Sequence, residues 1–174
     1  MFISENNFKE LFVGDKQLSI QNINITQLLE IAKQVEENTL QDLLGAYQYN
    51  ELLTDIQNGE PQTQKWIDFK NGKIYTKPNG NIAKYKGIIE MLCYFSYYEI
   101  SINQQLHTPT GYVIANNENS IPQTNLCTEL KANQRYNKAI NLYNETITYI
   151  NYNTIDFPNC VSKIKTYKQI IHYR

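Results

Sequence analysis

Residues 85–105, YKGIIEMLCYFSYYEISINQQ, decide the fold that this sequence predicts. Apolar side chains recur there at the spacing typical of an amphipathic helix, and the pattern extends over residues 82–104. Aromatic rings at Tyr94, Tyr97 and Tyr98 widen the apolar stripe beyond what one neighbouring helix covers. Because a helix of this kind needs a second apolar surface, we expect these three tyrosines to lie at a contact between subunits.

Two further long helices are predicted, one on either side of this segment. Apolar residues at helical spacing indicate a helix over residues 25–44 that ends at Gly45, and a shorter helix follows near residues 49–56. A near-heptad stripe predicts the other long helix over residues 125–152.

The segment 59–81 is rich in turn signals, with Asn-Gly pairs and Pro78. We expect short extended pieces around a turn there, at Trp66, Ile67 and Phe69 and in the run 73–76. Gly87 lies inside the second predicted long helix. Glycine is a poor helix former, so its presence indicates that a neighbouring backbone approaches closely at this position.

These elements predict a mainly α protein. We expect a bundle of three long helices plus one short helix, with a small β-hairpin or extended loop and flexible terminal arms. At 174 residues the chain is expected to form one domain. Its parts are an N-terminal arm over residues 1–24, a helical core over residues 25–153 and a C-terminal tail over residues 154–174.

The composition argues against several functional classes. The 16 basic and 17 acidic residues nearly balance, which excludes the basic excess of a sequence-independent nucleic-acid binder. No segment is typical of a signal peptide or a membrane span, so we expect a protein made in the cytoplasm without membrane contact. The sequence contains no HExxH, EF-hand or phosphate-loop spacing, and we expect no cofactor, no metal and no enzymatic activity.

One catalytic alternative stays open at this point. Cys93, Cys127 and Cys160 are widely spaced and form no CxxC pair, which argues for structural thiols. A thiol together with His107 could nevertheless make a small Cys-dependent hydrolase.

The polar loop over residues 107–123 follows the aromatic helix directly. It combines Thr108-Pro109 and a flexible glycine with a short strand-like run and many side-chain amides. Such a segment can add a strand to a neighbouring sheet, while the alternative is an ordinary surface loop. The residues that we expect at a subunit contact are Thr108, Gly111, Tyr112, Asn117 and Ser120.

The C-terminal tail is basic over residues 160–174, with no acidic residue. Its apolar residues, Val161, Ile164, Tyr167 and Ile171, fit one face of a helix. This pattern favours docking on an acidic partner, and the alternative is a frayed terminus. Deleting residues 160–174 is then expected to impair assembly and to leave the fold intact. The charged residues that we expect to bind the partner are Lys163, Lys165, Lys168 and Arg174.

The order of several features resembles bacteriophage head-to-tail connector proteins, the adaptor or ring components of crAss-like and related tailed phages. The resemblance covers roughly residues 25–153 and rests on spacing and residue type. The features that carry it are Leu43-Leu44-Gly45 followed by Tyr47, Tyr49, Asn50, Glu51 and Leu52, then Tyr85-Lys86-Gly87-Ile88, then Thr108-x-x-Gly111, and finally Arg135-Tyr136 in a long helix.

The resemblance implies a structural virion protein in the neck or tail region, made in the host bacterial cytoplasm. Copies would form a homo-oligomeric ring, a dodecamer matching the portal, that links the capsid to the tail around the DNA channel. The implied partners are the portal protein, through the basic tail, and other tail or neck proteins, with non-specific proximity to packaged DNA. The alternative is a soluble helical protein-binding module of phage origin that acts on a host or assembly partner.

Overall fold

The computed structural model describes residues 2–11, 25–106, 125–158, 160 and 162–168. These residues form helices and two small antiparallel hairpins, which confirms the predicted mainly α fold class. In chain order the elements are α1 (Glu5–Leu11), α2 (Ile25–Asp55), β1 (Ile56–Gln57), β2 (Glu60–Pro61), α3 (Gln64–Asn71), β3 (Lys73–Thr76), β4 (Ile82–Tyr85), α4 (Ile89–Leu106) and α5 (Asn125–Tyr152).

Helix α4 is the centre of the bundle, since it packs against α5, α2 and α1. The N-terminal segment is attached to this bundle through Glu36, a buried residue of α2. Its carboxylate accepts backbone hydrogen bonds from Phe2, at 2.8 and 2.9 Å, and from Ile3, at 3.2 Å. Burial raises the pKa of Glu36, and these hydrogen bonds partly oppose that shift. The start of the predicted arm therefore lies on the helical core and includes the unforeseen helix α1.

Gly45 interrupts α2, as the sequence predicts. Its φ of 71° and ψ of 166° are not helical, so the stretch consists of two helices joined at a kink. Leu43 and Leu44 are buried immediately before the break. The expected end of the first helix at Gly45, with a second helix after it, is confirmed.

The extended conformation predicted for Trp66, Ile67 and Phe69 is wrong, because these residues lie in α3. The carboxylate of Asp55 accepts hydrogen bonds from the backbone N–H groups of Gln62, at 2.8 Å, and Thr63, at 3.0 Å, just before the helix begins. The buried Trp66 and Phe69 are three residues apart and lie on one helical face, with their ring centroids 5.7 Å apart.

The predicted start of the aromatic helix at residue 82 is also wrong. Residues 82–85 form β4, which pairs with β3, and α4 begins at Ile89. Gly87 has a φ of +84°, in the left-handed region, and breaks any helix before α4. The close backbone approach predicted at Gly87 is confirmed, because an added Cβ would collide with the carbonyl oxygen of Lys70. Tyr85 instead packs inward and stacks on Tyr149, with ring centroids 4.1 Å apart.

Candidate interaction surface

The three tyrosines expected at a subunit contact are covered by their own chain. Tyr94, Tyr97 and Tyr98 are only 2, 7 and 8% exposed. Helix α5 supplies much of the cover: the Arg135 guanidinium lies 5.9 Å from the centroids of the first two rings, and Tyr136 packs 4.7 Å from Tyr98. The premise that these rings need a second chain to cover them is therefore wrong.

The C-terminal tail also lies on its own chain. Cys160 and residues 162–168, which we call the strap, form neither helix nor strand and lie along α5. Lys163 and Lys165 both bind the carboxylate of Asp42, at 2.7 and 2.8 Å, and the Lys168 ammonium lies 5.3 Å from the ring of Tyr136. The predicted helical face is absent from this segment. Within the chain these lysines already contact Asp42 or Tyr136, and their use at a portal stays a prediction; Arg174 lies outside the described residues.

The strap satisfies backbone groups that the break in α2 leaves without helical partners. Ser162 Oγ donates to the carbonyl of Leu43 at 2.6 Å, and the N–H of Lys163 donates to the carbonyl of Asp42 at 2.7 Å. On the other side, the Tyr143 hydroxyl of α5 donates to the carbonyl of Lys163 at 2.9 Å. The strap thus connects the end of one helix to the face of another.

Asp42 makes the strap sensitive to acid. Burial disfavours its charge, but the hydrogen bonds from Lys163 and Lys165 together outweigh burial and hold the pKa of Asp42 below its ordinary value of 3.8. A carboxyl group with a lowered pKa stabilises the fold above that ordinary value and loses this contribution as the pH falls through the folded pKa. We expect Asp42→Asn to lower the melting temperature near neutral pH. The difference from wild type should shrink as the pH falls below 3.8.

Thermal melts of both proteins between pH 7 and pH 2.5 would measure this effect. Asp55→Asn is the control, because Asp55 also has a lowered pKa but bonds backbone N–H groups away from the strap. Limited proteolysis in the same series reports strap release, which only the Asp42 variant should increase. A pH-independent melting difference for Asp42→Asn would contradict the assignment.

Two of the three candidate thiols, Cys93 and Cys160, lie in environments where burial raises the thiol pKa, and the side chain of Cys127 lies outside the described part of the chain. Cys93 is 1% exposed, and burial raises the pKa of its thiol to about 12. His107 and the loop residues Thr108, Gly111, Tyr112, Asn117 and Ser120 lie outside the described part of the chain. Within that part, no three His, Cys, Asp or Glu side chains come together as metal ligands, and no helix has the length and apolar character needed to cross a membrane.

The hairpin β3–β4 presents a different candidate surface. Paired residues in antiparallel strands share a face, so the register places Tyr75, Ala83 and Tyr85 on one side of the hairpin. That side packs on α5, where Tyr75 lies 5.3 Å from Tyr149. The opposite side, which we call the hairpin face, is exposed and consists of Ile74, Thr76, Ile82 and Lys84.

The hairpin face is apolar at its centre, with Ile74 67% and Ile82 78% exposed. The N–H of Lys77 donates to the carbonyl of Asn81 at 2.8 Å, and bonded pairs alternate along an antiparallel ladder. The backbone groups of all four hairpin-face residues therefore point to the outer edges of the hairpin. Within the described residues nothing accepts or donates hydrogen bonds there, so the edges are open to another strand.

A pocket lies between α1 and α4 at the start of α4. It has a volume of about 230 Å³ and is lined by Asn7, Glu10, Leu11, Ile89, Glu90 and Cys93. We call it the α1–α4 pocket. Leu11, Ile89 and Cys93 form what we call its apolar floor, and Glu10 and Glu90 form its acidic rim. The rim is negatively charged, whereas all charged residues of the hairpin segment 72–87 are lysines.

The hairpin face was missed because residues 82–85 fit a helical pattern as well as a strand. A signal was present: Pro78-Asn79-Gly80 marks a tight turn, and the segment 72–87 has four lysines and no acidic residue.

Comparison with known proteins places most of the chain in a family. No curated protein and no solved structure matches the chain. Residues 40–166 match the model of a family of unknown function, DUF6712. The match extends from the last turns before the Gly45 kink, through the hairpin and α5, into the strap. Because it covers well over half of the sequence, this chain belongs to the DUF6712 family.

Proposed function

We propose that this chain is a structural subunit of a bacteriophage virion. Copies form a head-to-tail connector ring, a dodecamer in register with the portal, that joins the capsid to the tail around the DNA channel. The chain carries out no catalysis and needs no cofactor in this role. Its place is the neck of the particle, after synthesis in the host bacterial cytoplasm.

The observation that carries the proposal is the exposed hairpin on a helical domain. A ring requires a contact between two different surfaces of neighbouring subunits, because such contacts repeat around a closed circle. The hairpin face supplies one surface of this kind, with exposed apolar side chains and open strand edges. The resemblance of the order of sequence features to phage connector proteins, over most of the same region, supports a connector as the assembly.

The buried thiol of Cys93 weighs against this residue as the nucleophile of the hydrolase alternative. A nucleophilic cysteine needs a thiolate near neutral pH, and the pKa of about 12 for Cys93 leaves almost none.

The proposal is tested by mixing the purified chain with the portal protein encoded in the same genome. We expect rings of this protein on one end of the portal in electron micrographs. Native mass spectrometry should show the portal mass raised by twelve copies of 20.4 kDa. The chain alone, at the same concentration, is the control for assembly without a template.

A different result would favour the binding-module alternative. If the chain never joins the portal and instead co-purifies with a host protein as a monomer or dimer, the connector role is wrong. A complex with the portal that contains a single copy would also contradict a ring.

A further inference from the structure

We propose that the hairpin of one copy docks into the α1–α4 pocket of the next copy, so that this contact closes the ring. The inference rests on the proposed function for its ring geometry and names the two surfaces that meet. The partner that binds the hairpin face is thus a second copy of this chain. Ile82 and Ile74 pack on the apolar floor of the pocket, and the hairpin lysines lie against its acidic rim.

The hairpin is positively charged, whereas the rest of the chain has a net negative charge. The segment 72–87 carries four lysines and no acidic residue, and the remainder of the chain has 12 basic against 17 acidic residues, a net charge of −5. Lys73 is paired with Asp68, but no acidic side chain in the described residues pairs with Lys77, Lys84 or Lys86. Two hairpins would repel each other, so a symmetric hairpin-to-hairpin contact is disfavoured.

The pocket provides the matching groups. Glu10 is exposed and makes no ion pair among the described residues, and the pocket also contains the partly exposed Glu90, which lies 3.4 Å from Lys138. Leu11 and Ile89 supply the apolar lining. A pocket of about 230 Å³ is several times the ~30 Å³ share of one water molecule, which leaves room for an aliphatic side chain.

The two surfaces belong to different elements of the fold, as a head-to-tail contact requires. The hairpin packs on α5 through Tyr75, whereas the pocket lies between α1 and α4. Both lie close to the start of α4, because only residues 86–88 separate β4 from that helix. A contact between two different surfaces of neighbouring subunits can repeat around a circle, as a closed ring requires.

Charge-reversal variants test the contact in the full-length chain. Lys84→Glu and Glu10→Lys are each expected to weaken assembly roughly tenfold or more, because each places like charges together. The double variant, Lys84→Glu with Glu10→Lys, should restore assembly by reversing both partners. Lys33→Glu is the matched control, since Lys33 is 65% exposed on α2 and makes only a 4.0 Å contact with Glu37.

A second pair of variants tests the apolar part of the contact. Ile82→Thr should weaken assembly, whereas Ile155→Thr, at a side chain that is 96% exposed and outside the hairpin, should not. Self-association in free solution is measured by sedimentation velocity over a wide range of protein concentration. Assembly on the portal is measured by electron microscopy, and circular dichroism checks that every variant is folded.

The outcomes separate this contact from the connector role. Normal assembly of Lys84→Glu on the portal overturns the contact and leaves the connector role in place. Charge-dependent self-association without any portal binding supports the contact and removes the connector role. If wild type neither self-associates nor joins the portal, both are wrong. Lysine-dependent binding of the hairpin to duplex DNA, with no effect of Glu10→Lys on assembly, would assign the lysines to nucleic acid and overturn the contact.

Discussion

Gly87→Ala is expected to destabilise the fold by about 4 kcal/mol or more, which is a large part of the ~5–15 kcal/mol that stabilises a typical domain. Gly87 has a φ of +84°, and a Cβ there would collide with the backbone of Lys70 and Asn71. Gly72 faces it in the same arrangement, since an added Cβ would lie 2.5 Å from the carbonyl oxygen of Tyr85. The two glycines let the end of α3 and the start of α4 touch through their backbones.

Gly80→Ala is the matched control. Gly80 has a φ of +83°, almost the same as Gly87, but nothing lies within 4 Å of an added Cβ. It should therefore show only the conformational cost of a left-handed alanine, about 1–2 kcal/mol. Urea denaturation, with a similar m value for both variants, measures the difference. Equal loss in the two variants would mean that the backbone contact at Gly87 contributes nothing.

Deleting residues 160–174 is expected to destabilise the fold by about 3–5 kcal/mol. This reverses the expectation from the sequence, in which the tail serves a partner and the fold survives its loss. The strap is the hydrogen-bond partner for the carbonyls of Asp42 and Leu43 and for the hydroxyl of the fully buried Tyr143. Each buried polar group left without a partner costs about 1–3 kcal/mol.

A shorter deletion separates the strap from the rest of the tail. Removing residues 169–174 leaves all of the strap contacts in place and should change the free energy of unfolding by less than about 0.5 kcal/mol. Both variants are compared with wild type by urea denaturation and by hydrogen exchange at α2 and α5. If the long deletion is as stable as the short one, the strap is not part of the fold's stability.

The hairpin and the strap are two segments whose helical sequence pattern did not predict the observed structure. Ile82 fits the helical spacing of the following residues, and only the left-handed Gly87 reveals that β4 is separate from α4. Ile164 and Tyr167 fit a helical face, yet the strap is not helical, and its backbone groups bond to α2 and α5. The hairpin face was not predicted because the spacing of Ile82 fits a helix. The contacts of the tail with its own chain were not predicted because they join segments that are distant in sequence.

Local pattern alone determined the mainly helical class, the break at Gly45 and the bounds of α5, residues 125–152. These features depend on side-chain periodicity and on backbone preferences, and both are determined by residues that are close together in the sequence. Tertiary structure decided which surfaces remain exposed. Tyr94, Tyr97 and Tyr98 are covered within the chain, and Ser162 reaches Leu43 across 119 positions of sequence. Periodicity identifies an apolar face, but contacts between distant segments determine what covers it.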